Sequence, residues 1–93
     1  MESKVTYSKF AEKQMNKVPK HIKEALLLWA STVHKIGIEE VRKVKGYHDE
    51  PLLGERRGQR SIRLNRSYRA IYEQKDDKEL ILITVVEVNK HDY

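Results

Sequence analysis

Arginine residues are concentrated in one segment of the chain that contains a single acidic residue. Between residues 55 and 69, Glu55 stands against Arg56, Arg57, Arg60, Arg63, Arg66 and Arg69. A guanidinium group is planar and can donate two parallel hydrogen bonds to one phosphate, which suits arginine to phosphate recognition better than lysine. The chain as a whole has a formal charge of +5. A basic field attracts polyanions before any specific contact forms, so the composition predicts a nucleic-acid partner.

Groups that could transfer protons occur in two other segments. His91 is followed by Asp92 near the last residue of the sequence, and His48 precedes Asp49 and Glu50 in a segment rich in glycine and proline. An imidazole ordinarily titrates near neutrality, and a neighbouring carboxylate can orient it. Each group alone is weak evidence of a site, because terminal residues are commonly frayed and charged loop residues are commonly just solvated.

A metal site is the competing interpretation of the same histidines and acids. The histidines lack a close ligand spacing, such as two histidines four residues apart on a helix. The sequence contains no cysteine, which excludes disulfides and thiolate zinc sites. No glycine-rich phosphate loop follows a predicted strand, and no serine or cysteine nucleophile motif is present. We therefore expect no metal and no cofactor.

The first half of the chain predicts one short strand and two helices. Lys4 to Tyr7 can form a strand, and Ser8 can cap a first helix that Pro19 ends. The same proline can begin the second helix, and Gly37 is expected to end it. The apolar residues of the second helix recur at three- and four-residue steps and predict one buried stripe: Ile22, Ala25, Leu26, Trp29, Val33 and Ile36. Val41 and Val44 suggest one further helical turn.

The second half predicts a loop over residues 46–58 and then three strands. Alternation directs Ile62 and Leu64 to the core and Ser61 and Arg63 to the opposite face. Strands over residues 68–73 and 80–88 follow, separated by polar turns. The element order β-α-α-β-β-β predicts an α+β fold in which two helices pack on one face of a largely antiparallel sheet and the other face stays available. The last strand should bring residues 89–93 close to Arg63.

Length and hydropathy narrow the class of protein further. Ninety-three residues suffice for a single domain over residues 1–93, and so short a chain is expected to gain stability from a partner. No apolar run approaches the roughly 20 residues of a membrane helix, and the first residues lack the apolar stretch of a secretory signal. We expect a cytoplasmic protein without membrane contact.

Three segments of the second half resemble one known family. They are EPLLGERRGQRSIRL at residues 50–64, YRAIY at 68–72 and VEVNKHDY at 86–93. In this order they resemble the toxins of type II toxin–antitoxin systems in the RelE/ParE superfamily, and within it most closely the HigB branch of mRNA interferases. The resemblance implies a small RelE-like fold, ribosome-dependent cleavage of messenger RNA that inhibits translation, and silencing by a cognate antitoxin, here of the helix-turn-helix HigA type.

The resemblance also implies residue roles. Arg63 matches the strand arginine that contacts the scissile phosphate, and the cluster His91, Asp92 and Tyr93 matches groups used for proton transfer and substrate positioning. Arg69 matches a second strand arginine that is partly structural. Contacts to the RNA backbone are expected from Arg56, Arg57, Arg60, Arg69 and Lys90. Some relatives carry a histidine where this chain has Glu50, so His48, Glu50, His91 and Asp92 all remain candidates for the general base.

Two alternatives share the same fold. A ParE-type toxin poisons DNA gyrase and cleaves no RNA, and the C-terminal cluster argues against that activity here. A catalytically silent member that only binds its partners is the other alternative, and the sequence does not exclude it.

Overall fold

A computed structural model describes residues 2–90 of the chain, so that Met1, His91, Asp92 and Tyr93 lie outside the described residues. Its elements are β1 (Glu2–Tyr7), α1 (Lys9–Met15), α2 (Lys20–Ile36), α3 (Ile38–Val41), β2 (Glu50–Pro51), β3 (Gln59–Arg63), β4 (Tyr68–Asp77) and β5 (Leu80–Lys90). Single turns of 3-10 helix at Lys45–Tyr47 and Gly54–Arg56 lie on either side of β2.

The strands form one five-stranded sheet in the order β1-β5-β4-β3-β2. β1 is parallel to β5, and the other neighbours are antiparallel. The predicted α+β class and the largely antiparallel sheet are confirmed. The loop predicted over residues 46–58 is more ordered than expected, because β2 pairs with β3 inside it.

Local signals explain where the helices begin and end. The hydroxyl of Ser8 accepts a hydrogen bond from the amide of Ala11 at 3.0 Å and caps α1. Pro19 is the N-cap of α2, and Gly37 ends that helix with a φ of 87°, a conformation that favours glycine. Because Gly37 redirects the chain there, α3 can begin at once.

The apolar stripe of α2 faces the sheet, with three departures from the prediction. Ala25, predicted to be buried, is only half-buried, and Ala30, which was not predicted, is buried. The buried residues are Ile22, Leu26, Trp29, Ala30 and Val33. Ile36, predicted to belong to the stripe, is 52% exposed. It is the last residue of α2, and beyond it Ile38 and Val41 of α3 supply the core instead.

A β-bulge in β5 changes which residues face the helices. Ile71 pairs with Glu87 while the next residue, Tyr72, pairs with Val85, so Val86 has no partner on β4. The extra residue lets both Val85 and Val88 be buried although they are three positions apart. It also directs Glu87 to the face of the sheet away from the helices, here called the outer face.

Within residues 2–90 no helix has the length and apolar character needed to cross a membrane.

Candidate active site

The outer face contains a cavity of about 170 Å³ beside β2, β3 and the start of β4. It is lined by His48, Glu50, Leu52, Ser61, Arg63, Asn65, Tyr68 and Arg69. Four of these residues were singled out from the sequence, and the fold brings them together: His48, Glu50, Arg63 and Arg69. We call this cavity the outer pocket.

Strand register explains how the two arginines reach the outer pocket. Ile62 is fully buried on the helix side, and its neighbour Arg63 is exposed on the outer face, as the alternation predicts. Arg63 is directly opposite Arg69 in the β3–β4 ladder. The Nε of Arg69 donates a hydrogen bond to Oδ1 of Asn89 at 3.4 Å. Arg63 is exposed, and it makes no side-chain hydrogen bond or ion pair with any other residue between 2 and 90.

The two groups that could act on protons come from the segment before β3. Glu50 pairs with Ser61 at the sheet edge, and both residues line the outer pocket. His48 has a φ of 45° and a ψ of 48°, in the left-handed region that histidine tolerates better than most residues with a side chain. An imidazole and a carboxylate therefore share the outer pocket with two guanidinium groups.

The turn between β3 and β4 completes the wall of the outer pocket. The side-chain oxygen of Asn65 accepts hydrogen bonds from the amides of Ser67 and Tyr68, both at 2.8 Å. Such a turn is a common use of asparagine. Asn65 and Tyr68 were not predicted as site residues, although a polar turn before the strand at residues 68–73 was predicted.

A second part of the outer face is closed by an ion pair. Nη2 of Arg56 lies 3.1 Å from Oε1 of Glu87. Nε of Arg56 donates a hydrogen bond to Oε1 of Gln59 at 2.8 Å. Glu87 also accepts a hydrogen bond from Asn89, which connects this pair to Arg69. Ile71, on the same face, is fully buried. The outer face is thus less available than the sequence predicts, and Arg56 has a structural partner.

Arg60, expected from the sequence to contact the RNA backbone, lies on the opposite side of β3 from Arg63. Arg60 is two residues from Ile62 on β3, so its side chain points to the same face of the sheet, towards the helices. Its Nε donates to Oδ1 of Asp49 at 2.6 Å. Burial lowers the pKa of the Arg60 guanidinium, but its hydrogen bond and attraction to Asp49 outweigh burial and raise it overall.

The remaining predicted residues are at the periphery or beyond the described chain. Arg57 and Lys90 are exposed. Lys90 pairs with Tyr68, a residue of the outer pocket, at the end of β5. His91, Asp92 and Tyr93 fall outside the described residues, and their roles stay predictions.

In the part of the chain that the structure describes, no three His, Cys, Asp or Glu side chains are grouped so that they could hold a metal ion.

No protein-family model and no curated protein sequence matches the chain. Solved structures do match over nearly its full length. The toxin–antitoxin complex RelBE2 from Mycobacterium tuberculosis matches with 21% identity and a TM-score of 0.70, covering 98% of this chain and 100% of the matched one. YafQ from Escherichia coli matches with 16% identity and a TM-score of 0.76, covering 97% and 94%.

The archaeal RelE–RelB complex from Pyrococcus horikoshii matches with 22% identity and a TM-score of 0.69, covering 97% of this chain and 96% of that one. The TM-scores and the coverage establish a shared fold, and at these low identities they establish the fold alone. The HigB branch suggested by the sequence stays a prediction. The protein has the fold of the RelE and YafQ toxins, as the resemblance in its second half predicts.

Proposed function

We propose that this protein is the toxin of a toxin–antitoxin pair and that it inhibits translation by cleaving messenger RNA on the ribosome. The observation that carries the proposal is the outer pocket, in which two arginines, a histidine and a glutamate line one concave surface. Cationic groups for a phosphate and groups able to move protons are the two requirements of RNA cleavage without a cofactor.

The reaction follows from the chemistry of RNA. The 2′-hydroxyl oxygen attacks the adjacent phosphorus, a base accepts its proton, the bond from phosphorus to the 5′ oxygen breaks, and an acid protonates that oxygen. The products are a 2′,3′-cyclic phosphate and a 5′-hydroxyl. Arg63 and Arg69 stabilise the added negative charge on the phosphate. Glu50 or His48 accepts the proton, and the C-terminal cluster of His91, Asp92 and Tyr93 supplies the acid.

The partners follow from the same proposal. A toxin of this kind needs a cognate antitoxin, and several matched structures are complexes with one, including YoeB–YefM from Staphylococcus aureus and DinJ–YafQ from Escherichia coli. A helix-turn-helix antitoxin of the HigA type remains our expectation. The substrate is messenger RNA in the ribosomal decoding site, with Arg57 and Lys90 available for backbone contacts.

The test is cleavage of a messenger on programmed ribosomes, with breaks mapped by primer extension. Wild-type protein should produce breaks that carry a cyclic phosphate. His48→Asn and Glu50→Gln then separate the two candidate bases, since asparagine tolerates the left-handed backbone of residue 48. The variant that removes the base should lose about 100-fold to 10,000-fold in single-turnover rate.

Two controls keep the test decisive. Ribosomes themselves need magnesium, so the first control uses a stabilised ribosome complex that keeps its magnesium. Under these conditions a chelator should leave cleavage intact. DNA gyrase should remain fully active with the protein present, because poisoning of gyrase would identify the ParE-type alternative. Absence of breaks with every messenger tested would indicate a silent binding member and refute the proposal.

A further inference from the structure

An ion pair with a buried carboxylate lies directly behind the outer pocket. Asp49 lies between the two pocket residues His48 and Glu50, but its own side chain is only 1% exposed. One carboxylate oxygen accepts from Nε of Arg60 at 2.6 Å, and the other accepts from the hydroxyl of Tyr72 at 2.6 Å. Nη2 of Arg60 also donates to the backbone carbonyl of Asp49 at 3.5 Å. Both the side chain and the backbone of Asp49 are therefore held.

Tyr72, at the other end of this network, packs against the helices. Tyr72 is fully buried, with its ring centre 5.3 Å from that of Trp29 on α2. Nε of Arg42, which follows α3, donates to the Tyr72 hydroxyl at 3.1 Å. Asp49 is thereby connected through the Tyr72 side chain to the hydrophobic core.

The segment that carries His48 and Glu50 has little other support. β2 comprises only Glu50 and Pro51, at the edge of the sheet, and proline has no amide hydrogen to donate to a ladder. His48 precedes it in a left-handed conformation. Hydrogen bonds from the amide of His48 to Lys45 and from that of Leu52 to Gln59 flank the segment. Between these two hydrogen bonds, the contacts of Asp49 hold the segment in place.

Stability alone does not account for this arrangement. Burying the carboxylate of Asp49 carries a desolvation cost that its attraction to Arg60 often only balances, and apolar residues of similar size are frequently as stable. What the ion pair provides is direction. Alternation into β2 turns Glu50 outward when Asp49 is held inward, and His48, in its left-handed conformation, is the residue directly before Asp49.

We propose that Asp49, held by Arg60 and Tyr72, is a positioning residue that fixes His48 and Glu50 in the outer pocket. Its effect on rate rests on the RNA cleavage proposed above, whereas its effect on the backbone does not. A displacement of about 1 Å at a reacting group can cost on the order of 100-fold in rate. Asp49 itself touches no part of the outer pocket.

The first experiment compares Asp49→Asn with Val33→Ala in single-turnover cleavage on programmed ribosomes. Val33 is buried on α2 and has no part in the network, so its truncation controls for reduced stability. Asp49→Asn should slow cleavage at saturating ribosome concentration by about 100-fold, with little change in ribosome affinity. Val33→Ala should cleave at the wild-type rate below its melting temperature. A wild-type rate for Asp49→Asn, or an equal loss for Val33→Ala, overturns the proposal.

The second experiment does not depend on cleavage. Amide hydrogen exchange of His48 and Leu52 should accelerate by about 10-fold or more in Asp49→Asn, with the amides of α2 unchanged. If wild-type protein cleaves no RNA, the proposed function fails while this measurement still decides the positioning role, and unchanged exchange at both amides refutes it. Tyr72→Phe keeps the ring and removes one donor, so it replaces Asp49→Asn in both experiments if that variant does not fold.

Discussion

Arg63 and Arg69 are cross-strand neighbours on the outer face of the sheet, and neither has a carboxylate partner within residues 2–90. Like charges directly opposite each other in an antiparallel pair destabilise a sheet. An arrangement that costs stability in the free protein becomes favourable once a phosphate group lies between the two guanidinium groups, because each can then donate to the same anion.

Replacing Arg63 by glutamine should separate stability from activity. The unfolding free energy should rise by about 0.5 kcal/mol, because one of two like charges is removed. Cleavage should fall by about 100-fold or more, because charge stabilisation at phosphorus is removed as well. Urea unfolding and single-turnover cleavage measure the two effects, with Lys75→Gln on the exposed far part of β4 as the control. Loss of stability in Arg63→Gln, or normal cleavage, would contradict the assigned role.

Replacing Arg57 or Arg56 should weaken the salt dependence of ribosome binding, but only the replacement of Arg56 should also lower stability. Arg57 is exposed, and its replacement by alanine should lower the slope of log affinity against log salt by about 0.7 to 0.9, because one phosphate is no longer neutralised. Its thermal stability should be unchanged. Arg56→Ala should in addition lower stability by up to about 1 kcal/mol, because its partly exposed ion pair with Glu87 is removed. Equal slopes for wild type and Arg57→Ala would move the RNA-binding surface elsewhere.

Deletion of His91, Asp92 and Tyr93 should abolish cleavage and preserve the fold. β4 is paired with β5 along its whole length from Tyr68 to Asp77, and all of these pairs lie within residues 2–90. Loss of positioned proton-transfer groups costs about 100-fold to 10,000-fold each. Circular dichroism, an antitoxin pull-down and a cleavage assay test the truncated protein. Full activity would refute the role of this cluster, and unfolding would make it structural.

Tyr72 should make the protein sensitive to alkali. Burial, followed by the hydrogen bond to Asp49, raises the pKa of Tyr72 from 10.0 to about 12. The neutral phenol is favoured by folding, so its contribution is fully present below about pH 10 and is lost as the pH rises through about 12. The unfolding free energy should therefore fall by on the order of 2 kcal/mol over this range.

The alkaline loss should be smaller in Tyr72→Phe, and urea unfolding at several pH values measures it. Burial also raises the pKa of Tyr7, so a residual loss is expected in that variant. An identical pH dependence in wild type and Tyr72→Phe would contradict the assignment.

Local patterns predict most of the fold. The helical period of Ile22, Leu26, Trp29 and Val33 and the capping by Ser8 depend on neighbouring residues alone, which is why α1 and α2 were predicted correctly. β2 could not be predicted in the same way. A two-residue strand has no period, and Glu50–Pro51 becomes a strand only because β3 offers it a partner.

The candidate site was predictable to a similar extent. Alternation alone directs Arg63 outward, and it would also have directed Arg60 inward, since the two residues are three apart on one strand. Alternation could not predict the inward position of Asp49 or the outward position of Asn89. The first depends on a partner in β4 and the second on the bulge at Val86, and a bulge within a run of β-branched residues leaves no trace in the period.

The parallel pairing of β1 with β5 has a consequence for biosynthesis. Glu2 pairs with Leu80 and Tyr7 with Val85, so β1 cannot form its ladder until residues 80–85 have been translated. Contacts between residues so distant in sequence make folding slow, because the entropy of closing the chain is given up before they form. Arg69 is aligned by Asn89, which belongs to this late strand. In a nascent chain Arg69 therefore lacks its partner Asn89, and the outer pocket is complete only after β5 has left the ribosome that made it.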